Sequence, residues 1–208
     1  MEKVKASLKS IERSLQDLAA RRERLIKESR DVIASCSRCI INLHNDKPAE
    51  AAGELANARR ILGGLKKAAS AQLLRYLVPP EAEFVEASVV FALIRGRPIP
   101  SISTLDSSPE AYILGLLDSI GELKREVLDS IMHGRAMMAR KHFEEMEELY
   151  SMLSPFASYD HLVNGARRKI DVARMIVEDT RGVLTEESGR EKLVSSMERL
   201  QKKLGSPG

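Results

Sequence analysis

The chain has 208 residues, enough for one domain with a substantial core, and no Gly/Ser/Pro-rich linker divides it. Its 33 Lys and Arg stand against 30 Asp and Glu, a net charge of +3 with the two signs interspersed, so charge permits nucleic acid without requiring it. No run of about 18 apolar residues spans a bilayer, and Met1-Glu2-Lys3-Val4-Lys5 lacks the hydrophobic core of a signal peptide, so a soluble, cytoplasmic protein with no membrane partner is expected.

Ala, Leu, Glu, Lys, Arg and Met are abundant and Trp is absent, which favours helix over strand. A first long helix is predicted over 2–44, where Ile11, Leu15, Leu18, Leu25, Ile26, Val32, Ile33, Ile40 and Leu43 recur at near-helical spacing. Within it Cys36 and Cys39 form a lone Cys-x-x-Cys, with neither a second pair nor a His-x-x-x-His to complete a zinc site. Small core-facing residues are the default reading and metal or redox work the rarer one.

Asp46 and Pro48 open a second helix whose pattern reaches Leu73 to Leu77, with Gly53, Gly63 and Gly64 weakening it or marking close packing. Pro79-Pro80 stops it and pre-sets the first turn of a third, which closes at Gly96. Over 97–108 the prolines forbid regular helix. Ser108-Pro109-Glu110 then supplies an N-cap, an N1 proline and an early acid for a fourth.

A fifth helix is predicted over 135–153, between Gly134 and Pro155. A sixth covers 158–181 and ends at Gly182, and Thr185 with Glu186 and Glu187 caps a seventh. Gly205-Ser206-Pro207-Gly208 reads as a flexible tail. The expected fold class is all-α, a single-domain seven-helix bundle over 1–208.

The third helix holds the most apolar stretch of the chain, yet it carries Glu83 and Glu86, and a second acidic pair, Asp118 and Glu122, follows on the fourth. Residues three or four apart share a helical face, so each pair presents two carboxylates side by side, and a buried carboxylate without compensation costs several kcal/mol. On the fourth helix Ile113, Leu116, Ile120, Leu123 and Val127 make one face, opposite Ala111, Gly115, Asp118, Glu122, Arg125 and Asp129. Taken alone, that side reads as a solvated polar face ahead of a binding site. The third helix has no broad polar face, and its rival reading is an ion pair with Arg or Lys of a neighbouring helix.

Four carboxylates without Cys or His make an oxygen-only donor set, suited to Mg²⁺ or Mn²⁺. Such a site activates water and stabilises the charge developed in phosphodiester hydrolysis. Di-iron bundles instead need Glu-x-x-His, and no Glu or Asp stands three residues before His44, His133, His142 or His161.

The segments Glu83-Phe84-Val85-Glu86-Ala87 and Tyr112-Ile113-Leu114-Gly115-Leu116-Leu117-Asp118-Ser119-Ile120-Gly121-Glu122-Leu123-Lys124-Arg125 resemble the translin superfamily, and more specifically its translin-associated factor X (TRAX) branch. Met146 to Tyr150 and a late helix rich in Lys, Asp and Arg agree more loosely, and the resemblance covers nearly the whole chain. It implies an all-α subunit of a hollow, octamer-like barrel that binds RNA or single-stranded DNA and cuts RNA with Mg²⁺ at carboxylates facing the interior. Carried over residue by residue, Glu83, Glu86 and Asp118 match the family's metal-binding catalytic carboxylates, Glu122 the further acid and Arg125 the arginine one turn on. The long insertion of eukaryotic factor X proteins between the two acidic motifs is missing, which favours a homo-oligomer over a pairing with a separate translin subunit.

Basic clusters at Arg21, Arg22, Arg24, Lys27 and Arg30, at Arg59, Arg60, Lys66 and Lys67, and at Arg167, Arg168 and Lys169, together with Arg75, are candidates to track phosphates, against a reading as solvated surface with local ion pairs. Aromatic residues are too few for base stacking to dominate. The expected function is a Mg²⁺-dependent endoribonuclease. The alternative is a non-catalytic RNA- or single-stranded-DNA-binding oligomer.

Overall fold

The computed structural model describes residues 1–204, so the tail reading for 205–208 lies outside the described residues. Among the described residues there is no strand. The helices are α1 (Glu2–His44), α2 (Pro48–Ala68), α3 (Val78–Ile94), α4 (Ile102–Leu105), α5 (Pro109–Met132), α6 (Ala136–Leu153) and α7 (Ala166–Leu204), with 3-10 segments at Ala71–Tyr76 and Ser154–Tyr159. None of them is long and apolar enough to cross a membrane. Internal packing gathers the chain into two compact units, Met1–Leu116 and Leu117–Gly208, and α5 runs across their boundary.

In the first unit the later part of α1 packs on α2 and α3, burying Leu25, Val32, Cys36, Cys39, Ile40 and Leu43. The helix α3 is apolar around its whole circumference and is accordingly buried on nearly every side through Phe84, Val85, Ala87, Val89, Val90 and Leu93. The second helix stops earlier than its pattern suggests. Ala69 turns extended after Ala68, and the following 3-10 turns bring both Leu73 and Leu77 inward. The proline-rich stretch also contains a regular turn, because α4 begins past Pro100 and the Ser101 hydroxyl accepts the Thr104 N–H at 3.3 Å.

Two features fix α3 against the start of α5. Glu81, buried in the first turn of α3, accepts the Ser108 N–H at 2.9 Å and the Ser108 hydroxyl at 2.7 Å, while the Lys66 ammonium of α2 lies 3.3 Å from its other oxygen. Ser108 is thereby both the cap of α5 and its tether to α3. Two turns further, Gly115 packs so closely that a Cβ there would lie 2.4 Å from the Ala82 carbonyl oxygen and 2.6 Å from the Val85 Cβ.

In the second unit Ile120, Leu123 and Val127 of α5 are fully buried, as are Ala139 and Met146 of α6, and Ile170, Ala173 and Val177 of α7 are nearly so. Arg181 pairs with Glu147 at 2.6 Å and Arg140 with Glu191 at 3.0 Å, tying α7 to α6. The predicted sixth and seventh helices are one continuous helix. Gly182 has open space around it, the Thr185 hydroxyl donates back to the Arg181 carbonyl at 2.8 Å, and Arg190 pairs with Glu186 one turn on, so neither residue ends the helix. The helix starts only at Ala166, behind Gly165 at φ +84°.

Replacing Gly115 with Ala should cost about 2–3 kcal/mol, read as earlier thermal unfolding, because backbone rather than a flexible tip must yield. Replacing Gly182 with Ala, where nothing lies within 4 Å, should stabilise by about 0.5–1 kcal/mol. The opposite order would refute the packing described for α3 and α5.

Cys36 and Cys39 are buried free thiols. Burial pushes Cys36 far up, with Glu83, Cys39 and Glu86 adding to it, and burial followed by Glu54 pushes Cys39 up to about 12. Both stay protonated at neutral pH, which supports the core reading over metal or redox work. At pH 8 an aromatic disulfide reagent should label neither thiol in the folded protein and both after denaturation; rapid labelling of the native chain would contradict this burial.

Candidate metal and nucleic-acid site

The four predicted acids divide between the two units, Glu83 and Glu86 in the first and Asp118 and Glu122 in the second. All four are half-buried. On α3 they are a different kind of group from Glu81, which the sequence analysis did not single out and which is the most enclosed acid of that helix. Glu83 and Glu86 flank Val85, the residue against which Gly115 packs, and their charges reach the Cys36 thiol on α1. This pair is thus held on a wall formed by α1 and α3.

On α5 the expected division into two faces is only partly observed. Ile120, Leu123 and Val127 are buried as predicted, but the opposite stripe is not uniformly solvated: Ala111 and Gly115 are buried, Asp118 and Glu122 half-buried, and only Arg125 is exposed. The helical repeat puts Asp118 and Glu122 one and two turns beyond Gly115 along this stripe. Asp118 pairs with Lys169 in the first turn of α7, and Lys124 pairs with Asp179 in the same order along the two helices. Sequence reasoning placed Lys169 among phosphate-tracking residues. Its pairing with an acid 51 residues away left no local signal.

The basic residues sort by environment. Arg21 and Arg24 line a recess of about 380 Å³ together with Leu25, Gly64, Leu65 and Leu73, and each also has a partner one turn along, Asp17 at 2.9 Å and Glu28 at 2.7 Å. Lys27 is exposed. Arg22 and Arg75 both lie against the Tyr76 ring, 4.7 and 5.0 Å from its centroid, and hydrogen bonds first from Arg22 and then from Arg75 hold the phenol below its ordinary pKa. Lys66 is occupied by Glu81, and Arg59 by the Thr104 carbonyl at 3.4 Å and the Phe84 ring at 5.4 Å, so these two members of the second cluster serve the fold.

No protein-family profile matches the chain. The chain is 35% identical over 185 residues to the uncharacterised protein MJ0175 of Methanocaldococcus jannaschii, covering 86% of this chain and 82% of that one. Two structures of AfC3PO superpose well. The crystal structure of AfC3PO gives a TM-score of 0.80 at 29% identity, covering 88% of this chain and 98% of that chain. Its complex with duplex RNA gives 0.79 at 27%, covering 88% and 97%. Apo-NeC3PO agrees in fold, with a TM-score of 0.74 at 21% identity over 86% of this chain and 96% of that one. The length of the agreement, the all-helical order of elements and the Glu83 to Glu86 and Asp118 to Glu122 motifs lead to one conclusion: the chain belongs to the translin superfamily, in its TRAX-like branch.

Proposed function

We propose that the protein is a divalent-metal-dependent endoribonuclease that acts as a cytoplasmic homo-oligomer, an octamer by the family pattern, and cuts RNA held inside the assembly. The observation that carries this reading is the contrast among the acids. Glu81 is enclosed by the fold with Lys66 and Ser108 against it, whereas Glu83, Glu86, Asp118 and Glu122 are half-buried, on surfaces that water reaches. The donor set fits Mg²⁺ or Mn²⁺, being carboxylate oxygen throughout, and the ammonium beside Asp118 indicates that a cation is what this carboxylate takes.

When bound, the ion supplies an activated water and charge stabilisation at the phosphate. Glu83, Glu86 and Asp118 hold it, and Glu122, one turn beyond Asp118, completes or orients that shell. Arg125, exposed one turn further, faces the phosphate. Arg21, Arg24, Lys27 and Arg75 track the backbone of the RNA, single-stranded or duplex, and AfC3PO with duplex RNA supports the duplex. Such contacts are salt-sensitive and indifferent to base sequence, and they extend to single-stranded DNA.

Self-association is supported by two exposed stripes at coiled-coil spacing. Val4, Leu8, Ile11 and Leu15 of α1 are 53, 60, 53 and 60% exposed, and Leu193, Met197, Leu200 and Leu204 of α7 are 61, 62, 58 and 79% exposed. Glutamate at both Leu8 and Leu15 should lower the mass measured by light scattering; an unchanged mass would exclude the α1 stripe from the assembly.

The second reading is an RNA-binding oligomer without catalysis, favoured by one observation, the ion pair that already neutralises Asp118. Labelled RNA decides between the two. Alanine at Glu83 or Asp118 should slow Mg²⁺-dependent cleavage by at least about 100-fold, with RNA retardation on a gel preserved within a few-fold. Undiminished cleavage in either variant refutes the assignment, and retardation without metal-dependent fragments in the native protein selects the second reading.

A further inference from the structure

Two lysine–carboxylate pairs in this chain differ in kind. Glu81 is 8% exposed, holds Lys66 at 19% exposure and receives two further hydrogen bonds from Ser108, so nothing can replace Lys66 without leaving a buried charge. Asp118 and Lys169 are 31% and 39% exposed, water reaches both, and a pair of that exposure binds weakly. Lys169 carries a compact charge on a flexible stem, in the first turn of α7 beside the exposed Arg167 and Arg168. The Arg167 N–H is bonded to Asp160 at 3.0 Å, which fixes the backbone of this turn while leaving its side chains facing solvent.

We propose that Lys169 is the exchangeable counter-ion of Asp118. Asp118 gives up the ammonium when it takes a divalent ion, and the freed ammonium joins Arg167 and Arg168 in holding the RNA phosphate. The inference rests on the nuclease reading and adds a residue to it. It also reconciles the two observations on Asp118, since a carboxylate kept neutralised by a removable cation stays ordered without its metal and is not repelled by RNA before the metal arrives.

Mn²⁺ binding followed by electron paramagnetic resonance, with cleavage assayed alongside, tests it on the intact protein. Lys169→Met should bind Mn²⁺ roughly two- to fivefold more tightly, the strength of the competing exposed pair. It should also cleave RNA at least about tenfold more slowly at saturating Mn²⁺, and Lys169→Arg should restore most of that rate. Unchanged Mn²⁺ affinity in Lys169→Met overturns the exchange, and undiminished cleavage overturns the phosphate contact; Lys169→Gln repeats the measurement if the Met variant does not assemble. Asp118→Asn separates the two levels of the argument. Lost Mn²⁺ binding there with no change in Lys169→Met removes this inference alone, whereas native Mn²⁺ binding in Asp118→Asn removes the metal assignment together with it.

Discussion

A carboxylate removed from water needs a cation and hydrogen-bond donors, and the arrangement of the first unit turns on how Glu81 obtains them. Lys66 from α2 and the capping Ser108 at the start of α5 converge on it, so one buried charge joins three segments of chain. An unpaired charge there would cost several kcal/mol, and each hydrogen bond to it contributes roughly 1.5–3 kcal/mol. Beside this lock, Gly115 lets α5 approach α3 to a separation that no side chain permits. The lock and the close approach together determine which side of the first turns of α5 meets α3.

Function is read from the acids that this lock leaves out. Glu83 and Glu86 follow Glu81 by two and five residues along α3, lie within electrostatic reach of the Cys36 thiol, and are only half-buried. Asp118 takes an ammonium instead of a network. A fully satisfied carboxylate stabilises a fold and does little chemistry; a partly hydrated one with a replaceable partner can serve a metal ion. The proposed site thus depends on carboxylates that water still reaches, in contrast to the enclosed Glu81.

Much of this was legible in the sequence because it is local. The uniform apolarity of α3 and the Ser108-Pro109-Glu110 start of α5 are patterns within a turn or two, and each appears in the structure as read. Signals that depend on partners distant in sequence were not legible. Glu81 was not singled out because Lys66 and Ser108 lie far away along the chain, and Lys169 was grouped with the phosphate-tracking candidates because Asp118, its partner, lies 51 residues before it. Gly182 and Thr185 read as a helix boundary, yet neither forces one. Glycine costs a helix only about 1 kcal/mol, and the threonine hydroxyl found a carbonyl within its own turn.

The central claim is that carboxylates of α3 and α5 share a divalent ion. Crystals soaked in Mn²⁺ and measured at its absorption edge test that claim most directly. The account predicts an anomalous peak at roughly 2.1–2.2 Å from oxygens of Glu83, Glu86 and Asp118, with Glu122 adjoining. Density free of such a peak, with those side chains turned apart and Lys169 still seated on Asp118, would contradict it.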